Sequence, residues 1–326
     1  MTAIQEKLEL KHITLATRLV CPPMATHSSG AEDGAPTEKL LRHYEAIARN
    51  PLVGLLELEH AYIAKSGTTG GNQLSLAEDR LVPQHRALVA RLHAARPGIA
   101  VISQINHAGA KTASEHTGGQ ILSASNVPVL KETPRPLTVD EIHQLTDLYA
   151  QAARRAQEAG YDGVEIHCAH GYLLNQFYSP LTNKREDEYG PQNLENRTRF
   201  LREVIHAVRK AVGSDYPVSV RLGGSDYTPG GSTAEDAAQA ALLLAQENID
   251  FLSLTGGLCG YVLPGITAPG WFGDQARAIR QVTDLPLLLT GGYTQAEDVN
   301  KALAAGTADL IGVGRSLYKD PNWGLE

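Results

Sequence analysis

The sequence predicts a parallel (β/α)₈ barrel, a TIM barrel, formed as one domain over residues 1–326. Three observations predict it. Short, continuously apolar runs recur along the chain and alternate with helical segments, the mark of a parallel sheet covered on its outer face. Eight such runs occur, which suits a closed barrel of this length. A doubly wound sheet is the competing arrangement, but no G-x-G-x-x-G follows the first run.

The runs, in order, are Arg18–Pro22, Leu52–Leu58, Ala100–Ile105, Gly163–His167, Val218–Leu222, Phe251–Leu254, Leu285–Leu289 and Leu310–Val313. The helices between them carry their own signals. From Thr138 to Gly160, Thr138 and Glu141 form a capping box, Ile142, Leu145 and Tyr149 make one face, and Gly160 suits the C-terminal cap. The same Thr/Ser-x-x-Glu start is expected at Ser232 with Glu235 and at Thr294 with Glu297, the latter helix ending at Gly306. Thr112–Pro136 reads as a long irregular excursion after the third strand, where loops are often functional. After the eighth strand the chain leaves little for an eighth barrel helix, so either the chain is cut short there or something else covers that flank, such as a neighbouring subunit in a homo-oligomer.

Composition narrows the function. A net charge of −7 and a pI near 6.0 argue against a nucleic-acid binder, which presents a basic face. No apolar run reaches the roughly 18 residues of a membrane span, and MTAIQEKLELKHI lacks a signal-peptide pattern. A cytoplasmic enzyme with a small-molecule substrate is expected. Cys21, Cys168 and Cys259 are too scattered for a disulfide framework or a thiolate cluster, and each is expected to be a small buried hydrophobe.

In a barrel of this kind chemistry gathers where strands end and the following loops begin. There the sequence places His167, His170 and Tyr172 after strand four, Gln104 and His107 after strand three, and Arg221 at the end of strand five. Gly291 and Gly292 follow strand seven, and Gly314 and Arg315 follow strand eight. Backbone N–H groups of TGG and GVGR, with a fixed cation, suit a phosphate. The two histidines alone leave three readings open: a metal pair, a packing cluster, or an acid–base site. A metal would need a third ligand that the motif does not supply.

The motifs carry a resemblance. EIHCAHGYLLNQFYSPLTNKREDEYG followed by LENRTRF, with PPMATHSSG, SQINHAGAK, SVRLGGSDYT and LIGVGRSLYKDP in the same order, resembles the Old Yellow Enzyme family of FMN-dependent ene-reductases from about Arg18 to Pro321. The resemblance implies FMN as bound cofactor, NADH or NADPH as reductant, and an activated alkene, conjugated to a carbonyl or nitro group, as substrate. It implies that His167 and His170 donate hydrogen bonds to the substrate oxygen and that Tyr172 protonates the α-carbon. Gln104 would pair with the flavin pyrimidine edge and Arg221 would lie beside N1 and O2. The backbone of Pro23, Met24 and Ala25 would line the ring, while Gly291, Gly292, Gly314 and Arg315 would hold the phosphate.

Some positions depart from the family pattern. Ala25 stands where the family often has Cys or Thr, so no side-chain tuning of the flavin is expected there. His60 stands where a small residue is expected, and GPQNLENR carries an insertion. The larger dienoyl-CoA reductase relatives add an iron–sulfur cluster and further domains, which three scattered cysteines and 326 residues do not suggest. The alternatives are an FMN barrel of the dihydroorotate or dihydrouridine type, which would need a catalytic Cys or Ser, and a non-catalytic flavin- or phosphate-binding barrel.

Overall fold

Eight parallel strands pair in chain order and close into a barrel. They are β1 Leu19–Cys21, β2 Val53–Tyr62, β3 Ala100–Asn106, β4 Gly163–Cys168, β5 Val218–Ser225, β6 Leu252–Gly256, β7 Leu287–Leu289 and β8 Leu310–Gly312. Closure is made by Ile311 and Gly312 of β8 beside Leu19 and Val20 of β1. The computed structural model describes residues 2–325. All eight expected strands are present, with β2 and β5 running three or four residues beyond the expected ends, toward the mouth.

The outer layer comprises α1 Glu38–Ala48, α2 Val82–Ala95, α3 Val139–Ala159, α4 Leu194–Val212, α5 Ala234–Leu244, α6 Gly273–Arg280, α7 Ala296–Ala304 and α8 Arg315–Lys319. α3 matches its expected bounds: Thr138 caps it with Glu141 in a capping box, and Gly160 closes it in the left-handed region at φ 91°. Two expected caps are displaced. α5 is capped by Thr233 with Asp236, one residue after Ser232, because Ser232 is instead drawn into hydrogen bonds with Asp226. α7 starts after Gln295 with no side-chain cap, and Thr294 contributes its carbonyl to the Trp323 indole N–H. Beyond the final helix, Arg315–Lys319, the Pro321 and Trp323 carbonyls accept from Asn50 Nδ2.

Alternation along the strands divides the interior from the outer shell. Outward residues such as Leu56, Val101, Ile166, Val220 and Leu254 pack against the helices. Inside, the lower end is apolar: Val20, Leu55, Ile102, Leu288 and Leu310 meet Leu10 and Leu15. Those two leucines come from an N-terminal hairpin, Leu8–Glu9 with Thr14–Leu15, that plugs the bottom. Toward the mouth the interior becomes polar, with Glu57, Gln104, Glu165, Arg221 and Ser253 all buried. A core that changes character along its axis directs ligands to one end only.

Candidate active site

The loop after β4 is bent by a tight turn. The Tyr172 N–H donates to the Ala169 carbonyl at 3.1 Å, and both central residues are left-handed, His170 at φ 58° and Gly171 at φ 73°. Glycine adopts this conformation freely, whereas histidine does so at a cost of about 1 kcal/mol. The turn is held from below. Asn175 Oδ1 accepts the Gly171 N–H at 2.7 Å, and Gln176 Nε2 donates to the Gly171 carbonyl at 2.7 Å. Arg197, on α4, donates to the Tyr178 carbonyl at 2.6 Å, and Asn183 Nδ2 bridges the Phe177 and Tyr189 carbonyls. Much of the long motif after β4 therefore braces the turn.

What the turn presents is a cluster of three rings. The His167 ring lies 5.1 Å from that of His170 and 5.1 Å from that of Tyr172, centre to centre. Burial holds both histidines well below the usual imidazole range, with their neighbours, Arg221 and Lys111 among them, adding to the effect. Both are neutral donors. His167 Nδ1 is enclosed without a partner, while His170 Nε2 meets Thr255 Oγ1 at 2.9 Å. Burial, with the nearby Tyr261, pushes the Tyr172 phenol up to about 12. Lys111 lies 4.9 Å from the centre of the Tyr172 ring and donates to the His170 carbonyl at 2.5 Å.

Below this cluster lies a polar floor. Gln104 Nε2 donates to Glu165 Oε1 at 2.7 Å, so the amide oxygen of Gln104 is the end left for a ligand. Glu57 faces Glu165 in the same layer, and burial first, then the Glu165 charge, raises its pKa well above the carboxylate range. Burial raises the Glu165 carboxyl as well, with the Arg221 charge opposing that rise. The Arg221 side chain is 5 % exposed, and its Nε has no hydrogen-bond partner. A buried guanidinium without a partner is costly unless an acceptor arrives.

The expected phosphate residues meet at one edge of the mouth. Gly291 and Gly292 are left-handed at φ 116° and 74°. A Cβ on Gly292 would meet the Trp271 indole at 2.5 Å, and one on Gly314 would meet Met24 Sδ at 3.1 Å. The Arg315 guanidinium stacks over Trp271 at 5.1 Å. Pro23, Met24 and Ala25 form the neighbouring wall after β1, where Glu59 accepts from the Thr26 N–H at 2.9 Å. The helix behind Gly292 begins only after Gln295, so the backbone of the glycine loop, rather than a Thr294-capped helix end, is what faces an anion here.

The other polar groups near the mouth separate cleanly. His107 has both ring nitrogens engaged, by the Gly109 N–H and by Ser66 Oγ, and serves packing. Asp226 accepts from Ser179, Ser232 and Leu258, and Tyr227 donates to Asp274, so both shape the loop after β5. His60 enters the mouth. Sequence reasoning missed Glu57, Glu165, Lys111, Thr255 and Trp271. The two glutamates had a legible signal, since each is an acid within an otherwise apolar strand.

A model of the NADH:flavin oxidoreductase / NADH oxidase family matches residues 4–325. The chain belongs to that family. It is 36% identical over 321 residues to an NADH oxidase of Thermoanaerobacter brockii, covering 96% of this chain and 48% of that one. The chain thus spans about half the length of that relative. It is 34% identical over 320 residues to an NADPH dehydrogenase of a Geobacillus species, covering 96% and 90% of the two. The Old Yellow Enzyme homologue of Zymomonas mobilis superposes with a TM-score of 0.84 at 28% identity, covering 98% of this chain and 90% of that one. The resemblance read from the motifs and the barrel both stand.

The residues present fit FMN. Arg221 Nε and Trp271 Nε1 are buried donors without partners, and His167 Nδ1 is a buried ring nitrogen without one, which suits a ligand that brings acceptors. Among the described residues, no three His, Cys, Asp or Glu side chains stand close enough to hold a metal ion.

The buried imidazoles also set an acid limit. Burial depresses His60, His85 and His107 to about 4, and lowers His167 and His170 as well. An imidazole whose folded pKa lies below its unfolded value contributes stability above about 6.5, and that contribution is lost as pH falls. Each contributes a slope of about 1.4 kcal/mol per pH unit over this window. The raised carboxyls Glu57, Glu59 and Glu165 act in the opposite sense and offset part of it. Urea unfolding should show a falling midpoint from pH 6.5 toward pH 5; a flat or rising midpoint would contradict neutral burial of these rings.

Proposed function

We propose that this flavin oxidoreductase reduces the C=C bond of α,β-unsaturated carbonyl or nitro compounds, using NADH or NADPH through bound FMN. The observation that carries the reading is the turn Ala169–Tyr172, which sets His170 and Tyr172 against His167 of β4, two neutral imidazoles and a neutral phenol near a guanidinium whose Nε has no hydrogen-bond partner. Bound FMN would supply the hydride for the β-carbon of the alkene, drawn from the nicotinamide. His167 and His170 donate N–H groups to the carbonyl or nitro oxygen, where negative charge develops. Tyr172 delivers the proton to the α-carbon and is reprotonated from solvent. The Lys111 ammonium favours the phenolate left behind.

Arg221 would lie beside N1 and O2, Gln104 would accept from the pyrimidine edge, and Pro23, Met24 and Ala25 would line the ring. Gly291, Gly292, Gly314 and Arg315 would hold the phosphate. The dihydroorotate or dihydrouridine reading draws no support from Cys259, whose thiol burial pushes up to about 11.

The test is an anaerobic titration. The purified protein should be yellow and release FMN on denaturation. Reduced by NADH or NADPH, it should be reoxidised by cyclic enones and nitroalkenes. Reduction by nicotinamide without any reoxidation by these alkenes would refute the substrate class.

A further inference from the structure

The geometry points to His60 as a third imidazole of the active site, a fixed donor whose Nε2–H is offered to an acceptor atom of the bound ligand. This inference rests on the function proposed above and concerns a residue outside the turn after β4.

The placement comes from a break in the sheet. Leu58 pairs with Ser103, but Ala61 pairs with Ile105, so β2 holds one residue more than β3 across this stretch. Such a bulge reverses the alternation and re-aims a side chain, and bulges of this kind occur beside active sites. Without it, His60 would share the outward face of Leu58. With it, the His60 ring enters the mouth, 5.3 Å from that of Tyr172 and 6.5 Å from that of His167. Glu59 is turned the other way, to the Thr26 N–H and the Tyr44 hydroxyl.

The tautomer follows from the ring's neighbours. Gln73 Oε1 accepts the backbone N–H of Thr69 at 2.7 Å, together with the hydroxyls of Thr68 and Thr69. The Gln73 amide is therefore oriented, and its Nε2 donates to His60 Nδ1 at 3.0 Å and to the His60 carbonyl at 3.2 Å. Asn106 Nδ2 also approaches Nδ1, at 3.2 Å. With Nδ1 an acceptor, the proton of the neutral ring sits on Nε2. Burial, with His27 and Lys111 nearby, holds the ring neutral by depressing its pKa to about 4. Nε2 has no hydrogen-bond partner among the described residues. Gln73 is the positioning residue, and the shared chemistry of the ligand is a hydrogen-bond acceptor, on either the flavin edge or the substrate.

Nitrogen-detected NMR of the unaltered protein, without added ligand, should show His60 neutral with its proton on Nε2 from pH 5.5 to 8. A proton on Nδ1, or a cationic ring at pH 6, overturns the proposal. His60→Phe keeps the ring volume and removes the donor. If the acceptor is on the flavin, this variant shifts the absorption spectrum and reduction potential of the bound FMN with no substrate present. If it is on the substrate, those stay fixed and a phenol such as 4-hydroxybenzaldehyde binds roughly tenfold more weakly by calorimetry. Flavin properties and phenol affinity both unchanged overturn the proposal. Gln73→Leu, which keeps the ring but frees its tautomer, should reproduce part of whichever change appears. The His60 tautomer is read by NMR without any ligand, so a protein that binds no FMN sinks the proposed function while the assignment of the Nε2 proton is still tested.

Discussion

Tyr172→Phe should slow reoxidation by an enone about 10²–10⁴-fold, the usual worth of a positioned general acid, while reduction by nicotinamide keeps its rate. The substitution removes one oxygen and nothing else. Phenylalanine preserves the ring contacts with His167 and His60 at 5.1 and 5.3 Å, so the cluster should keep its shape. The phenol is a weak acid, pushed up to about 12, and so holds its proton throughout the neutral range. Only the half-reaction that protonates carbon needs that proton. Stopped-flow measurement of the two halves separates them, and equal slowing of both would remove Tyr172 as the proton source.

Removing the oxygen donors should cost about as much. In the double variant His167→Ala with His170→Gly, enone reoxidation should fall by about 10²–10³-fold or more, the loss seen when an oxyanion donor is deleted. Glycine is the appropriate replacement at His170, whose φ of 58° strains any other side chain. The same variant should bind phenols weakly, because a phenolate oxygen places its charge where the reacting oxygen would be. Unchanged phenol affinity, in a variant that still folds and retains FMN, would show that the two imidazoles serve packing.

The legibility of this site differed from residue to residue. Tyr172, His167, His170, Gln104 and Arg221 were readable because strand ends in a parallel barrel are sites by construction, and period-two alternation says which residues point inward. Gly291, Gly292, Gly314 and Arg315 were readable as loops after β7 and β8. Lys111 was not, since its contact with Tyr172 joins the loops after two different strands. Trp271 comes from the loop after β6 and reaches Gly292 only because its N–H and that of Gly270 donate to the Gly291 carbonyl. The cap displaced to Thr233 was missed because Ser232 and Thr233 carry equivalent caps, and Asp226 settled the choice through space.

Local periodicity and contiguous motifs were enough to read the barrel, its eight strands and the family. Tertiary structure decided the orientation of single groups. The bulge in β2 turned His60 into the mouth, the Gln73 amide came to lie against its Nδ1, and Glu57 came to face Glu165 across the barrel interior. These depend on one-residue shifts of register and on hydrogen bonds between distant segments. No local pattern encodes them, because alternation along a strand is blind to an extra residue until the neighbouring strand is beside it.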